Sequence, residues 1–186
     1  MAASARPSEA DISSGAAPDA RTPRMPPRVR KVVTVVHVIS SVGWLGLTLC
    51  LLTLGTTALV SDDPVLVRSI YRAMKVLGDV LIIPVTLTAL LTGLLLALGT
   101  RWGLFRHYWV ITKFGLTLLA AAASIFELRA RFHEAASLVA QHPTGPVSAM
   151  HMGALRATLV VAPTVALCVY VANVTLSIFK PWGRRA

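Results

Sequence analysis

The residues able to do chemistry in this chain are few, and their placement is uneven. His37 stands inside an apolar run from Val32 to Val60, 29 residues without Asp, Glu, Lys or Arg. Asp79, Lys113, Arg156 and Asn173 lie within or at the ends of later apolar runs, and Met150, His151 and Met152 are consecutive between two of them. An imidazole can ligate a metal or haem iron, or relay a proton. It can equally be a neutral ring hydrogen-bonded to a carbonyl or hydroxyl. Thioether and imidazole donors suit Cu(I). His37, Met150, His151 and Met152 are therefore the candidate metal ligands, and His37 is the candidate cofactor ligand for haem or copper. Three consecutive side chains on a regular helix point in different directions, so the Met-His-Met run cannot all face one ion from a helix. A bis-histidine haem would need a second ring facing His37, and His107, on the same side, is the available one.

The elements that must position these groups are helices. On a helix His37, Ser40, Ser41, Trp44 and Thr48 share one stripe, at offsets of 3, 4, 7 and 11. Surrounded by hydrocarbon, such a stripe turns towards protein and marks the inner seam of a bundle. Apolar runs at about 32–60, 76–100, 108–126 and 154–179 are each near the roughly 20 residues that cross a bilayer core. Hydrophobic residues make up 55% of the chain and charged residues 14%, against about a quarter charged in soluble domains. The expected fold is an all-α, polytopic membrane four-helix bundle. Lipid is its outer solvent, and a homo-oligomer or a membrane-protein partner is possible. The formal charge of +10 comes from basic residues that flank the apolar runs. That placement suits anionic headgroups, and no recognition motif accompanies it, so no nucleic-acid partner is expected. Cys50 and Cys168 fall inside apolar runs and read as small packing residues rather than a disulfide.

Along the chain, residues 1–27 hold five prolines and no apolar periodicity, which predicts a disordered tail; residues 28–186 form the membrane domain. Asp63 before Pro64 is a helix start, with the carboxylate as N-cap. One helix should run from Pro64, amphipathic at first and then crossing, with a kink at Pro84. The third run should continue past Glu127 as an amphipathic helix to His142, and the fourth helix should begin near Val147. With both termini cytoplasmic, 11 basic residues lie inside (Arg6, Arg21, Arg24, Arg28, Arg30, Lys31, Arg101, Arg106, Lys180, Arg184, Arg185) and 6 outside (Arg68, Arg72, Lys75, Arg129, Arg131, Arg156). This favours a plasma-membrane protein with both ends in the cytoplasm.

Depth along these helices sorts the polar residues. His37, Lys113 and Asn173 each lie five or six residues from the same face and can form one polar layer, unless Lys113 snorkels to the headgroups. Asp79 lies near the opposite face, where Arg156 is the expected partner. Kinks at Pro84 and Pro163 there could leave a small cavity beside Asp79, or the pair could simply be a structural ion pair. Ala89-x-x-x-Gly93 and Ala162-x-x-x-Ala166 permit close helix contact. No Walker loop and no metalloprotease, dithiol or nucleophile-elbow motif is present.

The stretches His37-Val-Ile-Ser-Ser-Val-Gly-Trp-Leu-Gly46, Arg101-Trp-Gly-Leu-Phe-Arg-His-Tyr-Trp109 and Lys180-Pro-Trp-Gly183 resemble a bacterial family of small integral membrane proteins of uncharacterised function, over about Pro27 to Gly183. The first stretch also resembles, more loosely, copper-resistance D-type membrane proteins. The closer resemblance implies four membrane helices; the looser one implies copper handling through His37. The reading at this point is a non-enzymatic small transport or accessory subunit. Its alternative is a haem- or copper-binding protein using His37.

Overall fold

The computed structural model describes residues 25–99 and 107–179. Residues 1–24 of the expected disordered tail (1–27), the connection at 100–106 and the basic segment from 180 lie outside the described residues; Met25 N–H donates to the Gly99 carbonyl at 3.2 Å and Pro27 opens the first helix, so the end of the expected tail is ordered. Four long helices make the fold: α1 (Pro27–Val60), α2 (Pro64–Gly99), α3 (Tyr108–Gln141) and α4 (Leu155–Phe179). Each is long and apolar enough to cross a membrane. The chain is an all-α four-helix bundle, and its four apolar helices are compatible with a multi-pass membrane protein.

Which solvent these helices need follows from where their apolar side chains point. Only 11–22% of the most apolar window of each helix is buried within the protein. Val35, Ile39, Val42, Leu91, Leu119 and Ile178 all face outward. Water would strongly disfavour such a surface, whereas hydrocarbon solvates it. Cys50 and Cys168 share this outer surface as free thiols, so they are not the packing residues expected from their apolar context.

Helices α1, α2 and α3 have 34, 36 and 34 residues, about 50 Å each at 1.5 Å per residue, against a hydrocarbon thickness of about 30 Å. The surplus of α2 and α3 forms a cap at one end of the bundle. Asp63 accepts a hydrogen bond from Val65 N–H at 2.9 Å and starts α2, as its place before Pro64 requires. The first half of α2 then packs Val67, Ile70, Tyr71 and Met74 against Phe132, Ala135 and Val139 of α3. Leu47, Leu51 and Ala58 of α1 and Leu155 and Leu159 of α4 complete this core. The end of α1 approaches α4 through Gly55, where a Cβ would stand 2.6 Å from the Leu159 carbonyl oxygen.

Both long hairpin helices carry a π-helical segment at the junction of cap and bundle, Gly78–Ile82 in α2 and Ala123–Leu128 in α3. In α2 the physical cause is Pro84. Its ring crowds the carbonyl four residues back and supplies no N–H, and a wider turn just before it relieves the clash. An inserted π turn also rotates the following helix face. One part of α2 can therefore face the cap core while the rest faces the bundle seam.

The fourth helix starts later than its sequence pattern suggests. Val147–Met150 is a short 3-10 turn. His151 (φ 49°) and Gly153 (φ 44°) then adopt left-handed backbone, and the regular helix begins at Leu155. Left-handed residues cannot continue a right-handed helix, and this break displaces the expected start from Val147.

Candidate functional site

The polar stripe of α1 does turn inward. Ser40 and Thr48 are buried, and His37, Ser41, Trp44 and Thr48 line a cavity of about 290 Å³ at the end of the bundle away from the cap. A second cavity of about 310 Å³ lies between α1, α2 and α3, lined by Gly93, Leu96, Trp109 and Phe114 among others. His37, Ala89, Lys113 and Thr117 line both, so the imidazole and the ammonium stand at the junction of the two spaces.

The small-residue spacing in α2 explains how His37 fits. Ala89 is 3% exposed, and a Cβ at Gly93 would stand 3.0 Å from His37 Cε1. Any larger residue at position 93 would displace the ring. His37 Nδ1 lies 3.1 Å from both the Ala89 carbonyl oxygen and Thr92 Oγ1. The carbonyl can only accept, and the Thr92 hydroxyl spends its proton on the carbonyls of Thr88 and Ala89. The Nδ1–H of His37 must therefore be the donor. In the neutral ring Nε2 then keeps its lone pair, and no group in the described residues donates to it.

Lys113 of α3 donates to Ser177 Oγ of α4, and Ser177 in turn donates to the Asn173 carbonyl at 3.0 Å. Lys113 is five residues past the start of α3. The side chain leans towards the bundle end, since Ser177 is two residues from the last residue of α4, yet it remains in the cavity wall with His37 and Asn173. No carboxylate pairs with Lys113 among the described residues. Asn173 donates from Nδ2 to Val169 O at 3.2 Å, and its Oδ1 has no hydrogen-bond partner among the described residues. His37, Lys113 and Asn173 thus do form one polar layer, contributed by three helices. Thr92 and Ser177 complete it. Sequence reasoning passed over both, because single hydroxyls in apolar helices normally bond their own backbone and carry no signal.

The opposite end departs from expectation. Asp79 does not pair with Arg156. Its carboxylate accepts from Lys75 Nζ at 2.7 Å, Arg129 Nη2 at 2.9 Å and His133 Nε2 at 2.8 Å. Arg156 Nη2 instead donates to the carbonyls of Ala58 (2.6 Å) and Leu59 (2.8 Å), with Ser61 O at 3.2 Å. The reason is local: the last carbonyls of α1 have no helical partner and carry the negative end of the helix dipole, so the nearest guanidinium is drawn to them. The i,i+4 spacing of Lys75 and Asp79 was the overlooked signal for the true pair. Asp79 lines neither of the two cavities above nor a third, small space at Pro163. Ile82, Ser124, Leu128 and the fully buried Pro163 close round about 10 Å³, no more than one water needs.

Met150 and Met152 are 0% and 5% exposed within the cap core, whereas His151 between them is exposed. The left-handed break turns the imidazole away from the two thioethers. The His151 and His142 rings lie edge to face at 6.4 Å between centroids. No group of three or more His, Cys, Asp or Glu side chains is placed to share a metal ion among the described residues. No protein-family model, curated protein or solved structure matches the chain.

Proposed function

We propose that this protein is a non-enzymatic four-span membrane protein, a small transport or accessory subunit, whose working part is the cavity around His37, Lys113 and Asn173. The observation that supports this most is the convergence of those three side chains, from α1, α3 and α4, on one space inside an otherwise apolar bundle. Apolar pockets with a few converging polar groups are the usual form of ligand sites. An ionisable side chain inside a membrane helix is costly, and where one is kept it commonly marks a pathway or a ligand site. The protein sits in the plasma membrane with both termini in the cytoplasm, which places the cavity near the cytoplasmic face and the cap outside. The excess of flanking basic residues at the cavity end supports that orientation.

Reagent access tests the reading. Cys50 and Cys168 are first replaced by Ala, since both are exposed thiols. Ser41→Cys, in the cavity wall, should then react with a small water-soluble methanethiosulfonate in native membranes. Ile39→Cys, on the outer surface, should not. A Ser41→Cys thiol that reacts only after denaturation would show a dry, closed seam and would remove the case for a ligand site.

A further inference from the structure

We propose that the cavity takes a single-chain amphiphile with a carboxyl head, of the fatty-acid class, entering sideways from the bilayer. This rests on the preceding reading of the cavity as a ligand site, and names its ligand. Two features of the walls select the chemistry. The first is charge. Lys113 Nζ has a hydroxyl as its partner and no carboxylate among the described residues, so an ammonium in an apolar setting lacks a counter-ion. An anionic head supplies one, a cationic head is repelled, and an alcohol leaves the charge uncompensated.

The second feature is the unmatched lone pair of His37 Nε2, fixed by the Nδ1–H bonds to Ala89 O and Thr92 Oγ1. His37 and Lys113 line the same two cavities. A head that meets both must accept from the ammonium and share a proton with the imidazole. A carboxyl group does this: it enters as the acid, its proton passes to Nε2, and the carboxylate so formed accepts from the Nε2–H through one oxygen and from Lys113 through the other. A fully ionised sulfate or sulfonate has no proton to share.

The shape of the cavity fits a chain. Val38 and Val42 of α1 and Val174 and Ile178 of α4 line the cavity and are also exposed on the outer surface. The space is therefore open between α1 and α4 at the level of hydrocarbon, so that an alkyl chain can stay in lipid while its head reaches Lys113. A volume of about 290 Å³ suits a head and the first part of one chain.

Trp44 lies in the cavity wall and serves as the reporter. In a variant with Trp102, Trp109 and Trp182 changed to Phe, purified in neutral detergent, bromostearic acid should quench Trp44 fluorescence saturably. Lys113→Met should weaken that binding at least about tenfold, and bromostearate methyl ester should bind at least about tenfold more weakly than the acid, which is about 1.4 kcal/mol in each case. Brominated phosphatidylglycerol should give no saturable quenching. If acid and ester bind equally and Lys113→Met changes nothing, the carboxyl proposal is overturned while a ligand-binding cavity stands. If the brominated phospholipid saturates as tightly as the acid, the head recognised is a lipid phosphate and the proposal is again overturned. Absence of saturable quenching by every probe overturns it too, and the Ser41→Cys labelling result then decides separately whether the cavity is a site at all.

Discussion

Phe132→Ala should destabilise the folded protein by about 3–5 kcal/mol, the usual cost of removing a buried aromatic ring from a packed core. Phe132 is 1% exposed and lies directly over Gly78, where a Cβ would stand 2.6 Å from its ring. It fills the contact between α2 and α3 at the base of the cap, and neither glycine nor helix backbone can collapse far enough to replace it. Thermal unfolding of the purified protein in detergent measures the loss. Phe126→Ala, six residues away on the same helix but 73% exposed, should change stability by less than about 0.5 kcal/mol. Equal effects at the two positions would mean that the cap core is not what holds α2 to α3.

Asp79→Ala should cost about 1–2 kcal/mol, since its three partners are 29–48% exposed and solvent screens the ion pairs. The carboxylate is the shared partner of Lys75, Arg129 and His133, and its removal leaves two cations and an imidazole facing one another. Breaking a fully buried pair costs about 3–5 kcal/mol. The Asp79 side chain is 27% exposed, so solvent recovers part of that. Adding Arg129→Ala to Asp79→Ala should restore some stability, because the strongest uncompensated charge goes with it. The comparison is again a melting curve, taken at low and high salt. A double variant no more stable than Asp79→Ala would show that like-charge repulsion is not the cause.

How far the sequence discloses this structure depends on how local each cause is. The four helices follow from apolar runs longer than a bilayer core, and the Asp63–Pro64 start follows from cap chemistry two residues long. The inward stripe of α1 follows from helical periodicity, which is why His37, Ser41, Trp44 and Thr48 meet in one wall. Depth counting brought His37, Lys113 and Asn173 to one layer because a helix rises evenly. Pairings between helices are another matter. Depth places Asp79 and Arg156 near one face but says nothing of rotation about the helix axis, and the π turns rotate the faces of α2 and α3 just where such pairings are decided. Arg156 then finds the end of α1, and Asp79 finds Arg129 and His133. The left-handed turn at His151 is likewise silent in a residue type that rarely adopts it, and it alone separates Met150 and Met152 from the imidazole between them.

The cap and the cavity end of the molecule differ in how they are packed. The cap holds most of the buried apolar residues and the ion cluster, so it carries the stability of the fold. The far end is looser, with two cavities and an ammonium bonded to a single hydroxyl. Groups kept for a ligand are commonly a burden on the empty protein.

That difference gives the most direct test, the melting temperature of ligand-free Lys113→Met in detergent. Methionine keeps the length and apolar stem of the side chain and removes the unpaired charge, at the loss of one hydrogen bond to Ser177. If Lys113 is retained for what enters the cavity, the variant melts no lower than the parent and gains up to about 2 kcal/mol. If Lys113 instead ties α3 to α4 as part of the architecture, the variant melts lower by more than about 1 kcal/mol, and the cavity loses its claim to be the working site.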